Sequence, residues 1–86
     1  MNNKILVKLT LPELDGSFDV FIPVNESIWK IKKMLIKCVN DIFNSNFDIK
    51  KEFILMKKDD GTIYRNNEIV IDTDIRNASE LFLISK

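Results

Sequence analysis

The chain has 86 residues, 45% of them hydrophobic and 30% charged, with two glycines, two prolines, one cysteine and no histidine. That length makes one domain, residues 1–86, and a domain of this size hides only roughly 60–65% of the surface its unfolded chain exposes. There is room for one core, and none for a core plus a deep substrate cleft. Thirteen basic residues balance thirteen acidic ones, so the basic excess with which nucleic-acid binders displace counterions is missing overall.

The apolar content excludes a disordered chain. A lone Cys38 excludes an internal disulfide and any stapled secreted scaffold. From Met1 to Leu11 lysines alternate with apolar residues, which resembles neither a signal peptide nor a membrane span. A cytoplasmic location is the default expectation.

Ile5 to Leu11 reads as a strand with Ile5, Val7, Leu9 and Leu11 on one face and Leu6, Lys8 and Thr10 on the other. Pro12 stops it, and Glu13 to Ser17, containing Asp15-Gly16, predicts a hairpin turn. The return strand, Phe18 to Ile22, sends Phe18, Val20 and Ile22 one way and Asp19 and Phe21 the other. Pro23 ends it. Asn25 is suited to cap a helix, because its side-chain oxygen can accept from a free first-turn amide. Ile28, Ile31, Leu35, Cys38, Val39 and Ile42 then recur at spacings of three and four, one apolar stripe that predicts a helix ending near Phe43.

Phe53 to Lys57 predicts a third strand. Asp59-Asp60-Gly61 turns into a short fourth strand around Thr62 to Tyr64, Asp72 is placed to cap a single helical turn before Ile75, and Leu81 to Ile84 forms a fifth strand. One long helix cannot sheathe both faces of a sheet, so it lies across one face. The fold class that follows is α+β: a β-grasp of order ββαβββ, with a mixed four- to five-stranded sheet and one long helix across one face. Each of six buried helix residues contributes about 1.5–3 kcal/mol before entropy is subtracted.

The stretch Val70-Ile71-Asp72-Thr73-Asp74-Ile75 followed by Leu81-Phe82-Leu83 is similar to the turn and last strand of ubiquitin. The amino-terminal half resembles the YukD family of bacterial ubiquitin-like proteins, through the hairpin Val7-Lys8-Leu9-Thr10-Leu11 to Phe18-Asp19-Val20 and through Ile22-Pro23-Val24 leading into the helix. That resemblance implies a cytoplasmic accessory of type VII secretion, working beside a membrane-embedded, ATPase-driven exporter of small helical WXG-type substrates. Conjugated relatives of ubiquitin end in a flexible tail with two glycines. This chain ends Leu83-Ile84-Ser85-Lys86, so conjugation is not expected.

Few residues are available for catalysis. Without histidine the usual general base and commonest metal ligand are missing. One cysteine cannot build a thiolate zinc site, and Cys38, between Leu35 and Ile42 on the stripe, reads as a small core residue. Asp59-Asp60-Gly61 brings too few oxygens for calcium, no glycine-rich loop precedes the helix to hold a phosphate, and Asp72-Thr73-Asp74 reads as capping chemistry. No catalytic residue, metal or cofactor is expected, and the chain reads as a non-enzyme.

The sheet face away from the helix is the main candidate surface. Leu6, Phe21, Ile54, Met56 and Phe82 point there, and the strand order second, first, fifth, third makes them one continuous apolar area bordered by Lys8, Asp19 and Ile84. The bland alternatives are incidental exposure or a register error that swaps the faces. A second candidate is the stripe Trp29, Lys33 and Ile36, flanked by Lys30, Lys32 and Lys37, with Trp29 near Phe47; a charged helix face is more often simply solvated.

These readings make the chain a YukD-like, non-conjugated adaptor acting by protein–protein contact. Its partner would be the secretion ATPase or a membrane component, and a homodimer through the open sheet face is an alternative. The rival is a free-standing ubiquitin-like binding or scaffolding module unrelated to secretion. RNA binding through the lysine-rich helix, less favoured, predicts affinity that falls steeply with salt.

Overall fold

The structure, a computed structural model, describes residues 3–86. Met1 and Asn2, which open the segment read as neither signal peptide nor span, lie outside the described residues. β1 (Lys4–Leu11) and β2 (Gly16–Pro23) form an antiparallel hairpin in register from Lys4↔Pro23 to Leu11↔Gly16. The alternation read from the sequence sets its faces: Val7, Leu9, Leu11 and Ile22 are buried, and Lys8, Asp19 and Phe21 are exposed. Between the strands Pro12–Leu14 winds one 3-10 turn and Asp15 takes φ 49, a left-handed conformation that aspartate tolerates. At Gly16 an added Cβ would stand 2.6 Å from the Phe43 ring, so glycine is what lets the helix end settle on β2. Phe18 then meets Phe43 edge to face at 5.9 Å.

α1 runs Ile28–Phe43. Its cap is Ser27, whose Oγ accepts from the Lys30 N–H at 3.3 Å, and not Asn25. The reason is tertiary: Ser27 bridges to Ile69, and the Glu26 carbonyl accepts from the Val70 N–H, which keeps residues 26 and 27 out of the helix. The buried helix residues are Ile28, Ile31, Leu35, Ile36 and Val39. Cys38 is half-buried and Ile42, in the last turn, is 56% exposed. Ile36, assigned from its spacing to the outer face, goes under because the segment from Ile49 to Phe53 crosses over it. Asn44 at φ 52 ends the helix. Asn40 fixes the exit, its Oδ1 accepting from Phe47 N–H and Ser45 O–H and its Nδ2 donating to the Phe47 carbonyl, each at 2.9 Å.

β3 (Phe53–Lys57) and β4 (Glu80–Ser85) pair antiparallel, and β4 lies parallel to β1, giving one mixed sheet of order β2-β1-β4-β3. A parallel neighbour demands a long crossover, which α1 and β3 supply. The sheet has four strands: the expected strand at Thr62–Tyr64 is reduced to a single bridge between Met56 and Ile63. Asp60 explains that. Its Oδ1 accepts from both the N–H and the hydroxyl of Thr62, at 3.0 and 2.7 Å, and curls the chain into a compact turn.

The segment after it is fastened by Tyr64, 5% exposed, whose hydroxyl donates to Asp74 at 2.7 Å while Lys57 Nζ meets the same carboxylate at 2.9 Å. Asp72 does not cap; it closes the 3-10 turn Val70–Asp72. Thr73 does the local work instead, its hydroxyl donating to the Val70 carbonyl and accepting from the Ile75 N–H.

Candidate functional site

The open face of the sheet can be read row by row from the strand register. At one end Leu6 of β1 stands directly opposite Phe21 of β2. Phe21 is 57% exposed and Leu6 36%. Beside Leu6 the chain passes through Asn77 and Ala78: Leu6 N–H donates to Asn77 Oδ1 at 2.8 Å, and Ala78 N–H donates to the Leu6 carbonyl at 2.7 Å. Ala78 holds φ 73 to make both contacts, a conformation that costs an alanine on the order of 1 kcal/mol. A recess opens here, walled by Leu6, Lys8, Asp19, Asn77, Ala78 and Glu80.

The next row is charged. Asp19 pairs in register with Lys8, Lys8 with Glu80, and Glu80 meets Lys58 at 3.2 Å. Beyond that row Thr10 stands beside Phe82, Phe82 opposite Met56, and Ile84 opposite Ile54. Phe82, Met56, Ile84 and Ile54 are all half-buried. The five predicted residues thus share the open face, but not as one continuous area. Leu6 and Phe21 form one lobe, Ile54, Met56 and Phe82 the other, and four strand residues, about 13 Å, separate Leu6 from the Thr10 row. Lys8 and Asp19 run between the lobes instead of bordering a single patch.

Ile63 belongs to the second lobe and was not singled out from the sequence. It bridges Met56, shares its face and is 57% exposed. The pattern held a signal for it, since Tyr64 next to it is buried and neighbours in extended chain face opposite ways.

The second candidate stripe is rearranged. Trp29 is 48% exposed and Lys33 Nζ lies 5.0 Å from its ring centroid, while Ile36 is buried. Phe47 does not meet Trp29; it packs edge to face on Phe53 at 5.7 Å. Among the described residues no group of three or more metal-binding side chains comes together, and no helix is long and apolar enough to cross a membrane.

A four-stranded mixed sheet ordered β2-β1-β4-β3, with one helix clasped on one face and the other face open, is the ubiquitin-like β-grasp. Solved structures share it over nearly the whole chain. A ubiquitin-like domain of an Arabidopsis thaliana protein superposes with a TM-score of 0.71 at 20% identity, over 99% of this chain and 80% of that one. The ubiquitin-like domain of Plasmodium falciparum Dsk2 gives 0.73 at 14% identity, over 96% and 99%. A chain of the MycP5-free ESX-5 inner membrane complex gives 0.79 at 15% identity, over 99% of this chain and 22% of that one. A scan against protein-family models gives no match, and neither does a search of curated proteins. The likeness defines the fold.

Proposed function

We propose that this chain is a protein-interaction module of the ubiquitin-like class, and that it docks its partner on the open sheet face. Phe21 and Leu6, exposed side by side in register, carry the reading. Large apolar side chains held out on a rigid sheet cost solvation unless a partner covers them, and aromatic residues and methionine are enriched where partners do. The charged row of Asp19, Lys8 and Glu80 between the lobes gives the interface its register, because alternating charges penalise a shifted partner.

The partner we infer is a component of a type VII secretion machine, its ATPase or a membrane subunit. The YukD-like pattern of the hairpin and helix entry supports this, as does the likeness to part of a chain of the ESX-5 inner membrane complex.

The test uses Phe21→Asp and Ile63→Asp, both at exposed positions. Each variant is assayed for binding to the purified secretion ATPase and, in the source cells, for export of a WXG-type substrate. Phe21→Asp is expected to weaken binding more than about tenfold, as loss of an aromatic anchor does, and to stop export, with thermal stability unchanged. Wild-type export by both variants would remove the secretion reading; retained binding by both would remove the docking face.

A further inference from the structure

The face that carries the helix holds a second feature. The first half of α1 and the segment from Ile49 to Phe53 enclose a recess of about 70 Å³, lined by four lysines, Lys32, Lys33, Lys50 and Lys51, against one glutamate, Glu52. That glutamate is already held by Lys86 at 3.1 Å. Among the described residues no carboxylate lies within ion-pair distance of Lys33, Lys50 or Lys51. The lining of the recess therefore carries an excess of positive charge on a chain with no net charge, with the Asp48 carboxylate beside it accepting from the Lys50 N–H at 2.9 Å.

The recess is built as well as charged. Lys32 Nζ donates to the Phe53 carbonyl at 2.7 Å and Lys33 Nζ to the Ile49 carbonyl at 3.4 Å, so both ammonium groups are tied to the crossing segment. Lys33 also lies over the Trp29 ring. Holding like charges together costs Coulomb energy that solvent screens but does not abolish, and a bound anion would relieve it.

We propose that this recess binds an acidic peptide segment of a partner protein, with carboxylates on Lys33, Lys50 and Lys51 and an apolar residue against the free part of Trp29. Charge complementarity selects a carboxylate-bearing ligand. Two observations favour peptide over nucleic acid. One face of the sole tryptophan is already occupied by Lys33, which narrows the stacking platform that single-stranded nucleic acid uses. The basic cluster is also local on a chain with no net charge, whereas a long polyanion needs a continuous basic track.

Because Trp29 is the only tryptophan, its emission reports binding at the recess. The probe is a synthetic peptide of glutamates around one leucine, titrated into the full chain in low salt; a glutamine-for-glutamate peptide, single-stranded oligo(U) RNA and phosphatidylserine vesicles are the comparison arms. The acidic peptide is expected to give a saturable change in Trp29 emission that weakens as salt rises, and the glutamine peptide none. Lys50→Gln/Lys51→Gln, at exposed positions, should weaken it about tenfold, the sum of two surface ion pairs. Phe21→Asp should bind as wild type, which separates this site from the open face. No saturable response, or equal response to the glutamine peptide, overturns the proposal; so does tighter binding of RNA or vesicles than of peptide.

Discussion

Replacing Tyr64 with phenylalanine isolates one bond on which the segment between β3 and β4 depends. The ring is buried, and phenylalanine keeps its packing; what is lost is the hydroxyl that donates to Asp74 at 2.7 Å. A hydrogen bond to a charged acceptor contributes about 1.5–3 kcal/mol. Asp74 is 55% exposed and keeps Lys57 at 2.9 Å, so water and the ammonium group compensate in part and bring the loss to or below the bottom of that range, about 1–1.5 kcal/mol. For a domain this size that lowers the thermal midpoint by roughly 4–12 °C.

The pH dependence gives a second check on the same bond. Hydrogen bonds from the Tyr64 hydroxyl, then from Lys57, hold the Asp74 carboxyl below its usual 3.8. A depressed folded-state pKa contributes stability that is present above the unfolded value and is lost as pH falls through the folded one. Burial, and then the Asp74 carboxylate, push the Tyr64 phenol upward, so its contribution is complete below its usual 10.0 and fades as pH rises above it. The difference between wild type and variant should therefore hold across the neutral range and shrink below about pH 4 and above about pH 10. Urea denaturation of both proteins across pH measures it. A difference under about 0.5 kcal/mol at neutral pH, or one that does not shrink in acid, would refute the assignment.

Leu55→Ala removes a fully buried side chain from the middle of β3 and should cost about 2–5 kcal/mol, shifting the denaturant midpoint without changing the slope. Ile42→Gln, at a position the helical stripe would place in the core, should cost less than about 0.5 kcal/mol because that side chain is mostly exposed. Ser27→Ala should cost about 0.5–1 kcal/mol, at the lower end for a cap because its bond is 3.3 Å long, whereas Asn25→Ala should be near neutral.

The features legible in the sequence were those set by local periodicity. Alternation in Val7, Lys8 and Leu9 put the hairpin faces the right way round, the spacing of Ile28, Ile31, Leu35 and Val39 located the helix, and the turn-favouring Asn44-Ser45-Asn46 located its end. What escaped depended on chain that is distant in sequence. Ser27 rather than Asn25 caps the helix because Ile69 and Val70 hold residues 26 and 27 out of the helix. Ile36 is buried by a crossing segment that helical spacing does not contain, and Ile42 is exposed although it lies on the stripe. Leu6, Phe21, Ile54, Met56 and Phe82 of the open face were legible from period two, and Ile63 was not singled out. Their division into two lobes was not, because it rests on Lys8 standing beside Glu80 across a parallel pair whose strands are separated by most of the chain.

The strand order puts Phe21, on β2, at the sheet edge opposite β3, while Ile54 and Ile63 of the second lobe line one depression with Lys32, Glu52, Phe53 and Asn66 of the lysine recess. β4 enters the sheet between β1 and β3, so the open face is assembled from strands and the turn at Asn77-Ala78, and the lysine recess from α1 and the segment ahead of β3. The core lies between Phe21 and that recess: Leu9, Leu55, Leu81 and Leu83 on the sheet meet Ile31 and Leu35 in one buried cluster. A charge placed at Phe21 is thus screened from Lys50 and Lys51 by a packed layer and by solvent around its rim, and exposed charges farther apart than about 10 Å interact little at ordinary salt. Packed cores pass on a disturbance only where they can adopt a second arrangement. The Phe21 lobe and the lysine recess are therefore expected to bind independently, one by apolar contact and the other by charge, so that Phe21→Asp leaves the affinity of the recess unchanged.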